Sequence, residues 1–139
     1  MKRTEKTTTF LVLLLVAVLA LAGCVRQNPV GDSGTVTDGG TVGEGAHTFA
    51  FSVVDAEGNK TVFVVHTDEE TVGEALLKNG LIAGDAGAYG LYVKTVNGIT
   101  LDFEKDGKYW AFYVEGAYAA AGVDATPVTD GADYMFKAE

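Results

Sequence analysis

Residues 47–80 read HTFAFSVVDAEGNKTVFVVHTDEETVGEALLKNG and carry the signals that decide the fold. Phe49, Phe51 and Val53 alternate with smaller or polar residues, which is the period of a strand with one buried face. Turn-forming residues fill positions 55–59, and a second, β-branched stretch covers residues 61–66. The first part of this stretch therefore predicts a β-hairpin.

The end of the same stretch predicts a helix that is marked at both termini. Thr71 stands three residues before Glu74, the spacing of a capping box, and Gly80 stands where a left-handed residue commonly ends a helix. The apolar positions between them are Val72, Ala75, Leu76 and Leu77. We expect a helix over residues 71–79, too short to persist unless it packs on a sheet.

The second half of the chain is again rich in strand signals. Residues 91–96 form a predicted strand that ends at Asn97-Gly98, a strong tight-turn signal. Further strands are expected over residues 108–115 and 134–136. Two strands, one short helix and several more strands are typical of an α+β fold, here with a mostly antiparallel sheet that the helix covers on one face.

The N-terminus carries an export signal. Basic residues within positions 1–6 precede an uncharged apolar run of thirteen residues, 10–22, and Cys24 follows a small residue. As a helix this run rises only about 20 Å, less than the roughly 30 Å hydrocarbon core of a membrane. A cysteine directly after Leu-Ala-Gly resembles the bacterial lipobox, and the alternative is an ordinary secretory signal that ends at a cysteine by chance. We expect residues 1–23 to be removed as a lipoprotein signal peptide, and lipidated Cys24 to hold the protein on the outer face of the bacterial cytoplasmic membrane, or on a membrane facing the periplasm.

Residues 24–46 are predicted to be the lipidated cysteine plus a flexible linker. Residues 25–46 contain six glycines and no aromatic residue, so the segment has little apolar surface to offset the entropy of ordering. The folded domain is therefore expected to cover residues 47–139.

Composition and charge exclude several functions. Cys24 is the only cysteine, so the chain forms no internal disulfide and no thiolate metal cluster. The formal charge of −9 becomes −11 when residues 1–23 are removed, and such a surface repels phosphate backbones, so no nucleic-acid partner is expected. No serine lies in the Gly-x-Ser-x-Gly motif of serine hydrolases. We predict that the chain is not an enzyme and has no catalytic residue.

Five short motifs occur in a fixed order: TVGEAL at residues 71–76, YGLYV at 89–93, VNGI at 96–99, YWAFYV at 109–114 and GVD at 122–124. Their order and spacing resemble the bacterial DUF4430 domain, which is similar to the C-terminal domain of transcobalamin and intrinsic factor. The resemblance covers residues 47–137 and implies a β-grasp-like fold with cobalamin as a candidate ligand. In the animal transporters a separate helical domain supplies much of the cobalamin site, and no segment here matches that domain. The resemblance therefore supports the fold more strongly than it supports cobalamin as the ligand.

Metal binding has weak sequence support. Residues 102–107 resemble the opening of a calcium loop, but Tyr113 stands where the bidentate glutamate is required. A charged hairpin between two strands is the preferred interpretation of this segment. His47 and His66 have no second ligand at a useful spacing, so both are interpreted as structural or solvent-facing and no metal site is expected.

Aromatic residues are the remaining candidates for binding. A strand over residues 108–115 places Trp110 and Phe112 on one face and Tyr109 and Tyr113 on the other, so some of these rings lie outside the core. Rings with a polar tip suit a planar ligand or a partner protein. The predicted ligand-binding residues are Tyr89, Tyr92, Tyr109 and Tyr113.

Two functions of different classes follow. The first is a membrane-tethered extracytoplasmic module that captures cobalamin or another planar solute for a transporter, with no cofactor required. The alternative is an interaction domain of a surface assembly that binds protein or cell-wall polymer and handles no small molecule.

Overall fold

The computed structural model describes residues 34–139, and the predictions for the signal peptide and for Cys24 lie outside them. The elements in chain order are β1 (Val36–Gly43), β2 (His47–Val54), β3 (Lys60–Thr67), α1 (Val72–Lys78), β4 (Ile82–Gly87), β5 (Gly90–Val96), β6 (Ile99–Thr100), α2 (Phe103–Asp106), β7 (Trp110–Val114), β8 (Ala117–Tyr118), a 3-10 turn (Val123–Ala125) and β9 (Asp133–Ala138). None of the helices in this part of the chain has the length and apolarity needed to cross a membrane.

The strands form two sheets. A six-stranded sheet has the order β1-β3-β2-β9-β7-β8, and a three-stranded sheet has the order β4-β5-β6. The β1–β3 and β2–β9 pairs are parallel, and the other five pairings are antiparallel. The predicted α+β class with mostly antiparallel pairing is confirmed.

The predicted hairpin is formed by β2 and β3. Phe49 lies opposite Val65 and Phe51 opposite Phe63, so one face of the pair is apolar. Phe49 and Phe51 are almost completely buried. They belong to a hydrophobic cluster to which α1 and both sheets contribute.

Helix α1 begins and ends where the sequence predicts. The Thr71 side chain accepts from the Glu74 backbone N–H, and the Glu74 carboxylate accepts from the Thr71 N–H, which completes the capping box. Gly80 has a φ of +67°, the left-handed conformation expected after the helix. Leu76 is fully buried, whereas Leu77 is 43% exposed, so of these two leucines only Leu76 belongs to the core. Each residue turns an α-helix by about 100°, and Leu77 consequently falls beside the buried stripe.

Strand β1 corrects the predicted linker. Val36 pairs with Lys60 and Thr41 with Val64, so this segment is the edge strand of the six-stranded sheet. The flexible-linker prediction is therefore wrong over Val36–Gly43, and the sheet begins before residue 47. Backbone pairing stabilises β1, and Gly39 permits its close approach, because a Cβ there would lie 2.5 Å from the Phe63 ring.

Residues 102–107 also differ from prediction. They form the single helical turn α2 instead of a charged hairpin. The Asp102 side chain accepts from the Glu104 N–H, and Gly107 ends the turn with a φ of +65°. The turn connects the two sheets, because β6 pairs with β5 whereas β7 pairs with β8 and β9.

Candidate functional site

Strand β7 separates core rings from surface rings as predicted. Trp110 and Phe112 are 6% and 8% exposed and belong to the core cluster. The Trp110 indole Nε1–H donates to the Ile99 carbonyl at 3.2 Å, which fixes the start of the strand against β6. Because side chains alternate along a strand, Tyr109 and Tyr113 lie on the opposite face.

Tyr118 connects these two tyrosines. The β7–β8 hairpin places Tyr118 opposite Tyr113, with ring centroids 5.2 Å apart in an edge-to-face arrangement. The turn between the strands is tight, since Glu115 and Gly116 both have positive φ angles of 50° and 78°. The Tyr118 hydroxyl also lies 3.1 Å from the Tyr109 hydroxyl. Tyr109 and Tyr113 are thus brought into one cluster through a third ring.

Phe103 extends this cluster toward the three-stranded sheet. Its ring centroid lies 6.4 Å from that of Tyr109, again in an edge-to-face arrangement. On its other side Phe103 shares a shallow pocket of about 250 Å³ with Tyr92, Lys94, Asp102 and Glu104.

The five rings Tyr92, Phe103, Tyr109, Tyr118 and Tyr113 are referred to below as the aromatic band. Phe103 and Tyr118 are 59% and 58% exposed, and Tyr92 is 46% exposed. These three side chains therefore retain a large accessible surface. Rings in mutual contact at a surface can bind a flat ligand by stacking while a hydroxyl donates a hydrogen bond.

Two tyrosines of the band, Tyr109 and Tyr113, have raised pKa values. The hydrogen bond with Tyr118 raises the pKa of Tyr109 from 10.0 to about 12, and partial loss of solvent adds to the effect. The Tyr113 hydroxyl donates to the Glu139 carboxylate, and this hydrogen bond raises the pKa of Tyr113. Both phenols are uncharged donors or acceptors at neutral pH, and their raised pKa values extend this state to more alkaline pH.

Tyr89 is the predicted site residue that the structure does not bring to the others. It lies at the turn between β4 and β5 and is fully exposed, so its ring packs against no neighbour. Tyr109 and Tyr113 come together through Tyr118, whereas Tyr92 is related to them only through the pocket that it lines with Phe103. The role of these tyrosines in ligand binding stays a prediction.

Sequence reasoning missed three members of the site. Phe103 lies in the mostly charged segment of residues 102–107, and the only sequence signal for it is that an apolar residue is unusual there. Tyr118 follows the Glu115-Gly116 turn, and that turn was the signal that it would fold back on Tyr113. No signal in the nearby sequence predicts Glu139 as a site residue, because its position beside Tyr113 depends on the pairing of β7 with β9.

The two histidines have protein partners. His47 Nδ1 lies 3.0 Å from Asp130 Oδ2, and His66 Nδ1 lies 2.8 Å from the Thr48 hydroxyl. Across residues 34–139, no three His, Cys, Asp or Glu side chains stand close enough together to hold a metal ion.

Comparison with known proteins gives one family and two informative structures. The family model described as "Domain of unknown function (DUF4430)" matches residues 69–139. A protein of Ruminococcus gnavus ATCC 29149, described as a candidate metal-binding protein, is 28% identical, with a TM-score of 0.64 over 68% of this chain and 97% of that chain. Haptocorrin in complex with Cbi is 18% identical, with a TM-score of 0.50 over 67% of this chain and 25% of that chain. No curated protein matches this sequence significantly.

Proposed function

This chain belongs to the DUF4430 family, and we propose that it is a membrane-tethered extracytoplasmic module that captures a planar solute, with cobalamin as the first candidate. The observation that carries the proposal is the aromatic band, in which four rings contact one another and Tyr92 shares a pocket with one of them, Phe103. Three of the five rings remain about half exposed. The fold shared with haptocorrin, which is bound to Cbi in its structure, supports cobalamin as the first ligand to test.

The shape of the band sets the expected affinity. The band borders a pocket of about 250 Å³ beside Phe103, and we expect a bound ligand to be covered on one side. We therefore expect a dissociation constant in the micromolar range, about −8 kcal/mol, unless a transporter supplies a second wall.

Metal capture is the function that the Ruminococcus gnavus protein suggests. The donor set does not favour it here, because His47 and His66 are engaged by Asp130 and Thr48 and lack further ligating neighbours among residues 34–139. We therefore do not extend that description to this chain.

A protein-interaction role is the second candidate. It is favoured by the openness of the band and by the extent of the match to haptocorrin, of which this chain covers only 25%. Exposed aromatic rings of this kind are also enriched where proteins bind one another.

Calorimetric titration with cyanocobalamin, supported by equilibrium dialysis, distinguishes these functions. The Tyr109→Ala, Tyr113→Ala double variant should weaken binding roughly 5- to 150-fold, since each ring contributes about 0.5–1.5 kcal/mol beyond buried area. Tyr89→Ala is the matched control, because its exposed ring lies outside the band. Absence of binding at millimolar cobalamin would reject the cobalamin version in favour of the interaction domain, and unchanged binding in the double variant would reject this site.

A further inference from the structure

The tyrosine end of the aromatic band contains a fixed carboxylate. Tyr109 and Glu139 exchange two backbone hydrogen bonds, with N···O distances of 2.9 and 3.0 Å. The Glu139 side chain accepts in addition from the Tyr113 hydroxyl. A negative charge is therefore held beside the rings of Tyr109 and Tyr113 by both backbone and side-chain contacts.

The pocket end of the band is also acidic. Asp102 and Glu104 line the pocket together with Tyr92 and Phe103. The one lysine that lines it, Lys94, forms an ion pair with Asp85 at 2.8 Å and lies 5.8 Å from the centroid of the Tyr92 ring. Asp102 in turn lies 3.9 Å from the Lys105 ammonium group, so Glu104 is the carboxylate of this pocket without an ion pair among the described residues.

The field of the whole domain has the same sign. The formal charge of −9 becomes −11 without residues 1–23, so the protein attracts cations over its surface. The faces of aromatic rings attract cations as well, through the negative potential of their π electrons. Aromatic rings with carboxylates beside them consequently favour a ligand with positive charge.

We propose that the solute bound by the aromatic band is an organic cation, whose charged group lies over the tyrosine rings with the Glu139 carboxylate as its counter-charge. This inference rests on the proposed capture of a planar solute and assigns that solute to one chemical class, to which the neutral cyanocobalamin does not belong. Lys137 opposes the attraction, because it pairs with Ala111 and points to the same face of the sheet as Tyr109 and Tyr113. Neutralising Glu139 and neutralising Lys137 should therefore change cation binding in opposite directions at the same site.

A matched pair of probes tests the proposal: N-methylquinolinium, which is cationic and planar, and quinoline, which has nearly the same shape and is neutral at pH 7. Both are titrated calorimetrically into the domain at low salt. The cation should bind about tenfold more tightly than quinoline, as expected for a cation–π contact beside a carboxylate. This preference should shrink as salt is added, because exposed charges are screened.

Three variants connect the preference to the site. Glu139→Gln keeps an oxygen acceptor for Tyr113 and should reduce cation binding about fivefold, without affecting quinoline. Lys137→Gln should strengthen cation binding. Glu57→Gln, in the turn between β2 and β3, is the control for a general change in net charge and should have little effect.

The outcomes separate this inference from the proposed function. Equal binding of the two probes, or a cation preference that neither Glu139→Gln nor Lys137→Gln changes, overturns the organic-cation assignment while a solute site remains. Binding of cobalamin with no binding of either probe also overturns it and keeps the proposed function. If cobalamin and both probes fail to bind, both proposals are rejected.

Discussion

Tyr109 differs from an ordinary surface tyrosine because its hydroxyl faces that of Tyr118 at 3.1 Å. Tyr118→Phe removes this partner, so the pKa of Tyr109 should fall from about 12 toward 10.0, which tyrosinate ultraviolet absorbance measures directly. A raised pKa in the folded state favours the protonated phenol. The stability that the protonated Tyr109 phenol gives the folded state is therefore fully present below pH 10 and is lost as the pH rises through about 12.

Tyr89→Phe is the control for this titration, since it removes an exposed phenol outside the band and should leave the Tyr109 step in place. An alkaline titration of Tyr109 that Tyr118→Phe does not move would contradict the hydrogen bond between the two hydroxyls.

Leu76 and Leu77 are consecutive leucines with opposite environments, which makes them a matched pair. Leu76 is fully buried and Leu77 is 43% exposed. Leu76→Ala should lower the free energy of unfolding by about 2–5 kcal/mol, through lost burial and the cavity left behind. Leu77→Ala should change it by less than about 0.5 kcal/mol. Chemical denaturation measures both, and similar losses at the two positions would show that α1 is rotated relative to the structure.

At the scale of elements, local signals predicted what local interactions determine. The capping box at Thr71, the Asn97-Gly98 turn and the alternation at Phe49 and Phe51 each specify structure within a few residues, and each is confirmed. Strand β1 has no such signal, because its residues are mostly exposed and its stability comes from backbone pairing with β3. Parallel pairings between distant segments leave no periodicity of their own in a single sequence.

Strand β1 should therefore contribute to stability, whereas a flexible linker would not. Beginning the chain at Ala46 instead of Gly34 removes the strand and uncovers part of Phe63, which is 6% exposed in the intact sheet. We expect the free energy of unfolding to fall by roughly 1–3 kcal/mol, in line with the exposure of part of an aromatic side chain. Thermal and urea unfolding of the two chains measures the difference. Identical melting midpoints would restore the interpretation of residues 36–43 as a linker.

At the scale of the whole molecule, the candidate site illustrates what a sequence alone conceals. Alternation on β7 was enough to assign Tyr109 and Tyr113 to the surface. Phe103 comes from a helical turn, Tyr118 from a hairpin and Glu139 from the residue after the distant strand β9, and only the assembled fold brings them together. The position of a chain in the cell is likewise a property of the whole molecule, and we propose that here it depends on Cys24, a residue outside the described part.

Cys24→Ser should release the protein from the membrane, because a serine hydroxyl cannot replace the thiol that receives the lipid. If the lipid is attached at Cys24, the first strand begins only twelve residues later, at Val36. A chain of that length spans at most about 40 Å, which would limit how far the edge strand β1 can lie from the membrane. Metabolic labelling with a radioactive fatty acid, followed by membrane fractionation, provides the measurement, and Ser33→Ala is a nearby substitution that should leave both results unchanged. Fatty-acid labelling that persists in Cys24→Ser would exclude this cysteine as the anchor and, with it, the proposed presentation of a solute at the membrane.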